Sequence, residues 1–191
     1  MKLADTAAVI TGGASGLGEA TARFFAEAGA QVTILDRDAD RGASVAQEIG
    51  GYFAQTDVTS EESVSAAIAH AVEKMGRITA CVNCAGIAIG AKTVGKDGPH
   101  PLDAYKRTID INLVGTFNVA RLAAVEIAKN EPENDGARGV IINTASIAAF
   151  DGQKGQAAYA ASKGGVAGMC LPMARDLASS GIRVMTIAPG I

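Results

Sequence analysis

The chain has 191 residues, 17 of them Lys or Arg and 20 Asp or Glu, for a formal net charge of −3. That balance leaves no basic surface large enough for the phosphates of a nucleic acid. With 48% hydrophobic and 19% charged residues the chain is not of the disordered class, and 23 glycines beside 4% aromatics suggest backbone that packs closely or approaches a ligand.

Ala7 to Thr11 is a short apolar run and reads as the first strand. It ends in Thr11-Gly12-Gly13-Ala14-Ser15-Gly16-Leu17-Gly18, after which Glu19 to Ala28 reads as a helix stopped by Gly29. Gln31 to Leu35 is the second strand, closed by Asp36. Arg41 to Ile49 is helical and stops at Gly50-Gly51, and Tyr52 to Gln55 is the third strand. Ser60 is placed to cap a helix reaching Met75, with Glu61 and Glu62 at its positive end and Gly76 past its last turn. Ala80 to Asn83 is the fourth strand, Leu102 to about Lys129 a long helix, and Gly139 to Thr144 the fifth strand. Gln156 to Ser179 is a second long helix, containing Pro172, and Gly181 to Ile187 is the sixth strand. Ala88 to Pro101 and Asn130 to Arg138 read as loops. Strands alternating with helices predict one α/β domain over residues 1–191, with a doubly wound parallel sheet and helices on both faces.

The glycine-rich turn joins a strand to a helix N-terminus, where free N–H groups and a partial positive charge suit a pyrophosphate. Gly12, Ser15, Gly16, Leu17 and Gly18 are its expected seat. Asp36 ends the second strand 18 residues after Gly18, where a carboxylate can accept both hydroxyls of an adenosine ribose. The same charge repels a 2′-phosphate, which favours NAD over NADP; Arg37 is the opposing feature.

Tyr159 and Lys163 are four residues apart on a predicted helix and share a face. Ser146 ends the fifth strand, at the sheet edge where open α/β folds bind ligands. A phenol titrates near 10 and is a poor base at neutral pH. An ammonium and an oxidised nicotinamide ring beside it, each worth on the order of 3–4 kcal/mol at ~4.5 Å and an effective dielectric of 20, would together make it a usable one. Serine hydrolysis is disfavoured, because His70 and His100 accompany no nucleophile elbow. Cys81 and Cys84 form a CxxC inside an apolar strand, where alternation sends their side chains to opposite faces and makes a shared metal or disulfide poor geometry. An odd total of three cysteines also argues against a disulfide framework.

The TGxxxGxG spacing of Gly12, Gly16 and Gly18, with Ser146 and the Tyr159-xxx-Lys163 pair downstream, resembles the classical short-chain dehydrogenase/reductase family. The resemblance covers essentially the whole chain. It implies a Rossmann-type sheet of order 3-2-1-4-5-6 and a nicotinamide cofactor, and it places the family's catalytic asparagine, serine, tyrosine and lysine on Asn112, Ser146, Tyr159 and Lys163. Ser146 and Tyr159 would hold the substrate oxygen, Tyr159 would exchange its proton, Lys163 would tune Tyr159 and hold the nicotinamide ribose, and Asn112 would keep a relay water. Asp57 and Val58 match the pair beside adenine, Asn83-Cys84-Ala85-Gly86 the motif beside the adenosine ribose, and Pro189-Gly190 the turn by the nicotinamide.

Ile87 to Pro101, Asn130 to Arg138 and above all Gly139 to Pro189 resemble the type-2 3-hydroxyacyl-CoA dehydrogenase subgroup. This implies oxidation of (S)-3-hydroxyacyl-CoA with NAD, some acceptance of steroids, and a homo-oligomer, in the family a tetramer. Alternatives are a 3-oxoacyl-acyl-carrier-protein reductase, disfavoured by Asp36, a steroid dehydrogenase, and a non-catalytic NAD-binding scaffold. Family members continue beyond the equivalent of Ile191 with a substrate-covering region and a seventh strand, so a fragment is expected. With no apolar stretch of membrane-spanning length and no cleavable signal in view, the expected location is cytoplasmic, with no membrane or nucleic-acid partner.

Overall fold

The computed structural model describes Lys2 to Gly190; residues 1 and 191, at the ends of the expected domain, lie outside the described residues. The elements are β1 (Ala7–Thr11), α1 (Gly16–Glu27), β2 (Gln31–Asp36), α2 (Ala39–Glu48), β3 (Tyr52–Gln55), α3 (Glu61–Met75) and β4 (Ala80–Asn83). A two-residue hairpin follows, β5 (Val94–Gly95) and β6 (Gly98–Pro99), inside the segment expected to be a loop. Then come α4 (Leu102–Ile109), α5 (Gly115–Ile127), β7 (Gly139–Thr144), α6 (Ala157–Leu177) and β8 (Ile182–Ile187).

Six strands form one parallel sheet in the order β3-β2-β1-β4-β7-β8. Without the small hairpin this is the expected 3-2-1-4-5-6. In register, Val9 lies between Thr33 of β2 and Cys81 of β4. After β3 the chain crosses back to β4 on the other side of β1. The strand order therefore reverses at β1 and β4, and a crevice opens above their carboxyl ends.

Every residue of β1 is buried, as a strand covered on both faces requires. Val9, Leu35 and Ile141 point to one face and pack with Val64 and Ile68 of α3 and Val119 and Ile127 of α5. Ile10, Val32 and Ile34 point to the other and meet Ala22 of α1 and Val45 of α2. Each Val, Leu or Ile side chain so removed from water contributes about 1.5–3 kcal/mol. Cys81 belongs to the first cluster while Cys84 packs against the second, so the two thiols are on opposite faces as the alternation required. Burial pushes the Cys81 thiol up to about 12, which keeps it protonated and unreactive.

Two helices, α1 and α2, start two or three residues earlier than the sequence predicts. The helix α1 begins at Gly16, so that the last two glycines of the turn, Gly16 and Gly18, already belong to it. Asp38 caps α2 by accepting the Arg41 N–H at 3.0 Å, which moves its start to Ala39. Ser60 caps α3 through the Ser63 N–H at 3.1 Å, and Gly76 ends it in the left-handed region. The expected uninterrupted helix from Leu102 is divided by a π-helical turn, Asp110–Val114, between α4 and α5. The wider turn rotates the helix face, so that α4 packs on α6 whereas α5 packs on α3.

Candidate active site

The crevice above β1 and β4 holds a cavity of about 430 Å³. Gly12, Ser15, Gly16, Leu17 and Gly18 form one wall, and Asp36, Asp57 and Val58 stand at one end. Cys84, Ala85 and Gly86 line the opposite side. Eleven residues named from separate stretches of sequence are thus brought to one space. Two glycines explain the turn. Gly12 has φ +68°, and a Cβ on it would come 2.9 Å from Ala85 Cα, so only glycine lets the β1 and β4 loops touch. Gly16 has φ +55° and nothing within 4 Å of its Cβ position, so its backbone faces open space.

Thr11 ties the two loops together: its hydroxyl accepts the N–H groups of Cys84 and Ala85, both at 3.1 Å. Asp36 has a second task beyond the one expected. Its carboxylate accepts the Ala14 N–H and the Asp38 N–H, each at 3.0 Å, and so braces the glycine turn from the end of β2. Asp57 accepts from the N–H and hydroxyl of Thr59, and those bonds hold its carboxyl below the usual range. Arg37, Thr56, Ile87, Arg107 and Ile111 also line the cavity. Of these, the sequence points only to Arg37. Arg107 and Ile111 arrive from the end of α4 and from the π-helical turn, and no local signal announces them.

The second cluster lies over the ends of β4 and β7. Lys163 Nζ stands 5.7 Å from the centre of the Tyr159 ring, as residues four apart on α6 should. Lys163 is 5% exposed, and its ammonium donates to the Thr144 carbonyl at 2.6 Å. Burial lowers its pKa from the ordinary lysine value. Ser146 is half-buried and lies two residues past the end of β7 rather than ending the strand; its hydroxyl accepts the Ala148 N–H at 3.1 Å and caps a short 3-10 turn. The Ile147 N–H donates to the Pro189 carbonyl at 2.9 Å, which brings the Pro189-Gly190 turn beside Ser146. Asn112 is fully buried in the π-helical turn. Its amide grips the backbone of Ile87, accepting the N–H and donating to the C=O, both at 2.8 Å.

Tyr159, Lys163, Ser146, Asn112 and Pro189 do not line the main cavity. They meet it at Gly86, where a Cβ would sit 3.2 Å from Asn112 Oδ1 and 3.7 Å from Lys163 Nζ. The residues present fit a dinucleotide. Amides and open space at Gly16 match a pyrophosphate, the Asp36 carboxylate matches ribose hydroxyls, and the far end of the groove abuts the Lys163 ammonium. Among the described residues no group of three or more His, Cys, Asp or Glu gathers in metal-binding proximity, and no helix is long and apolar enough to cross a membrane.

Residues 6–191 match the family described as short chain dehydrogenase. The 3-hydroxyacyl-CoA dehydrogenases type-2 of Homo sapiens and Bos taurus are each 57% identical over 188 residues, which is 96% of this chain and 72% of theirs. That of Drosophila melanogaster is 54% identical over 191 residues, 98% of this chain and 75% of its own. The crystal structure of 3-hydroxyacyl-CoA dehydrogenase type-2 from Mycobacterium avium superposes with a TM-score of 0.91 at 48% identity, covering 96% of this chain and 73% of that one.

Proposed function

The chain belongs to the short-chain dehydrogenase family, and from that premise we propose that it oxidises the secondary alcohol of an (S)-3-hydroxyacyl-CoA to the 3-oxoacyl-CoA with NAD as partner. The observation that carries this reading is a single groove running from the glycine turn past Asp36 to Gly86, where Lys163 and the Tyr159 face of α6 begin. Bound NAD supplies the two-electron acceptor that takes the hydrogen of the carbinol carbon.

Everything else falls to this chain's side chains. The glycine-turn amides hold the pyrophosphate, and Asp36 accepts from the adenosine ribose. Ser146 donates a hydrogen bond to the substrate oxygen. Tyr159 takes the hydroxyl proton as the carbonyl forms, and returns one in the reverse direction. Lys163 keeps a positive charge beside the Tyr159 ring and reaches toward the nicotinamide ribose. Asn112, with its amide committed to Ile87, acts through its backbone and through the fixed path of the Cys84–Ile87 loop. The acyl-CoA assignment is supported by the relatives' names and by the likeness of Gly139 to Pro189. A homo-oligomer is supported by the exposed apolar stripe of Val114, Phe117 and Val125.

The direct test is oxidation of NADH by acetoacetyl-CoA, followed at 340 nm. Turnover is expected; binding of NADH without turnover would identify a scaffold, and turnover only with NADPH and an acyl-carrier substrate would identify the reductase. A second test concerns the coenzyme. Asp36→Ala should lower the preference for NAD over NADP about tenfold or more, because the charge that opposes a 2′-phosphate is gone. The quantity to measure is the ratio of kcat/KM for the two coenzymes, since loosening of the turn at Ala14 and Asp38 affects both alike. An unchanged ratio would show that Asp36 serves only the turn.

A further inference from the structure

Ser162 precedes Lys163, is fully buried, and has no place in the mechanism above. Its hydroxyl donates to the Tyr159 carbonyl at 2.7 Å and accepts an Asn112 Nδ2–H at 3.1 Å. Helix serines commonly bond a carbonyl one turn back, and that bond alone would mean little. The second bond crosses 50 residues of sequence to the π-helical turn. Beyond it, the Asn112 amide clamps the N–H and C=O of Ile87, next to the loop that lines the groove.

The orientation of Asn112 follows from its partners. Oδ1 must face the Ile87 N–H, so Nδ2 faces the Ile87 carbonyl and Ser162, and both its protons are used. The hydroxyl of Ser162 has one proton, spent on Tyr159, which leaves a lone pair for Asn112. The four groups therefore fit one arrangement. We propose that Ser162 is a positioning residue: through Asn112 it fixes the Cys84–Ile87 side of the coenzyme groove relative to the Tyr159–Lys163 face of α6. The inference rests on the proposed dehydrogenase reading for its kinetic consequence, but not for its structural one. Gly86 shows how little slack the arrangement has, since even a methyl there would press on Asn112 Oδ1 at 3.2 Å.

The experiment compares Ser162→Ala with wild type by amide hydrogen exchange and by steady-state kinetics with NADH and acetoacetyl-CoA. In the variant Asn112 keeps a buried N–H without a partner, and its hold on Ile87 weakens. Exchange at the Ile87 amide should quicken about tenfold, while the Ile34 amide in β2, across the sheet, keeps its rate. The kcat should fall about tenfold with KM for acetoacetyl-CoA little changed, the size expected for one buried hydrogen bond. Unchanged exchange at Ile87, or an equal rise at Ile87 and Ile34, would overturn the proposal. In the second case Ser162 merely stabilises the fold. Should Ser162→Ala fail to fold, Ser162→Cys, of similar size and a weaker donor, is measured in the same way with the same deciding outcomes. A wild-type chain that exchanges as described but turns nothing over would remove the dehydrogenase reading and leave the exchange result to decide the role of Ser162.

Discussion

Tyr159→Phe should reduce turnover about a thousandfold and leave NADH binding nearly unchanged. The substitution removes one oxygen and its proton, and a positioned acid or base of this kind is worth roughly 10²–10⁴ in rate. Nothing else is lost. The ring still stands beside Lys163, 5.7 Å from its ammonium, and Tyr159 is not among the residues that line the coenzyme groove. Fluorescence titration with NADH gives the affinity, and the acetoacetyl-CoA assay gives kcat. A variant that kept wild-type kcat would take Tyr159 out of the reaction. One that lost both kcat and affinity would show the ring to be part of the coenzyme seat.

Lys163→Met should lose at least a hundredfold in kcat and yet melt at a higher temperature. Lys163 is 5% exposed, and desolvation lowers its pKa from the ordinary 10.5. Its ammonium is thus held in an environment that disfavours charge, with the Thr144 carbonyl as its hydrogen-bond acceptor. Methionine fills a similar volume without that cost. For a chain of this length each kcal/mol gained raises Tm by roughly 2–4 °C. The difference should also depend on pH, with a definite sign. Below the lowered folded-state pKa the lysine is charged in both states and the cost of burying it is complete. Between that value and 10.5 only the unfolded chain keeps the proton, so wild-type stability recovers as pH rises and the advantage of methionine shrinks. Melting curves at neutral and alkaline pH measure this. A variant less stable than wild type at neutral pH would mean that the bond to Thr144 outweighs the desolvation.

The two predictions concern residues that sequence alone made visible, and the reason is locality. The glycine turn, Asp36 at the end of β2, and the four-residue step from Tyr159 to Lys163 each depend on short spacing along one or two elements. Helical and strand periodicity then bring them to the sheet's carboxyl edge. The strand order followed from alternation of strands and helices together with the family pattern. What escaped depends on distant pairs. Thr11 bonding Cys84 and Ala85, Asn112 gripping Ile87 and Ser162 holding Asn112 all join residues 25 or more positions apart. Arg107 and Ile111 reach the groove only because the end of α4 and the π-helical turn after it are carried over it. The π-helical turn was hidden for a different reason. In Asp110-Ile111-Asn112-Leu113-Val114 the apolar residues suit either turn width, so the pattern cannot distinguish them.

That wider turn has a consequence for how the protein could change. A regular α-helix through residues 110–114 would be the conventional choice for stability, and a single deletion there would produce it. The same deletion would swing Asn112 off its bearing toward Ile87 and turn α4 and α5 against the wrong neighbours. Here the irregular segment works as a spacer that lets one rod serve two differently angled docking faces. Efforts to idealise this helix should therefore weaken both the packing of α4 and α5 and the hold of Asn112 on Ile87.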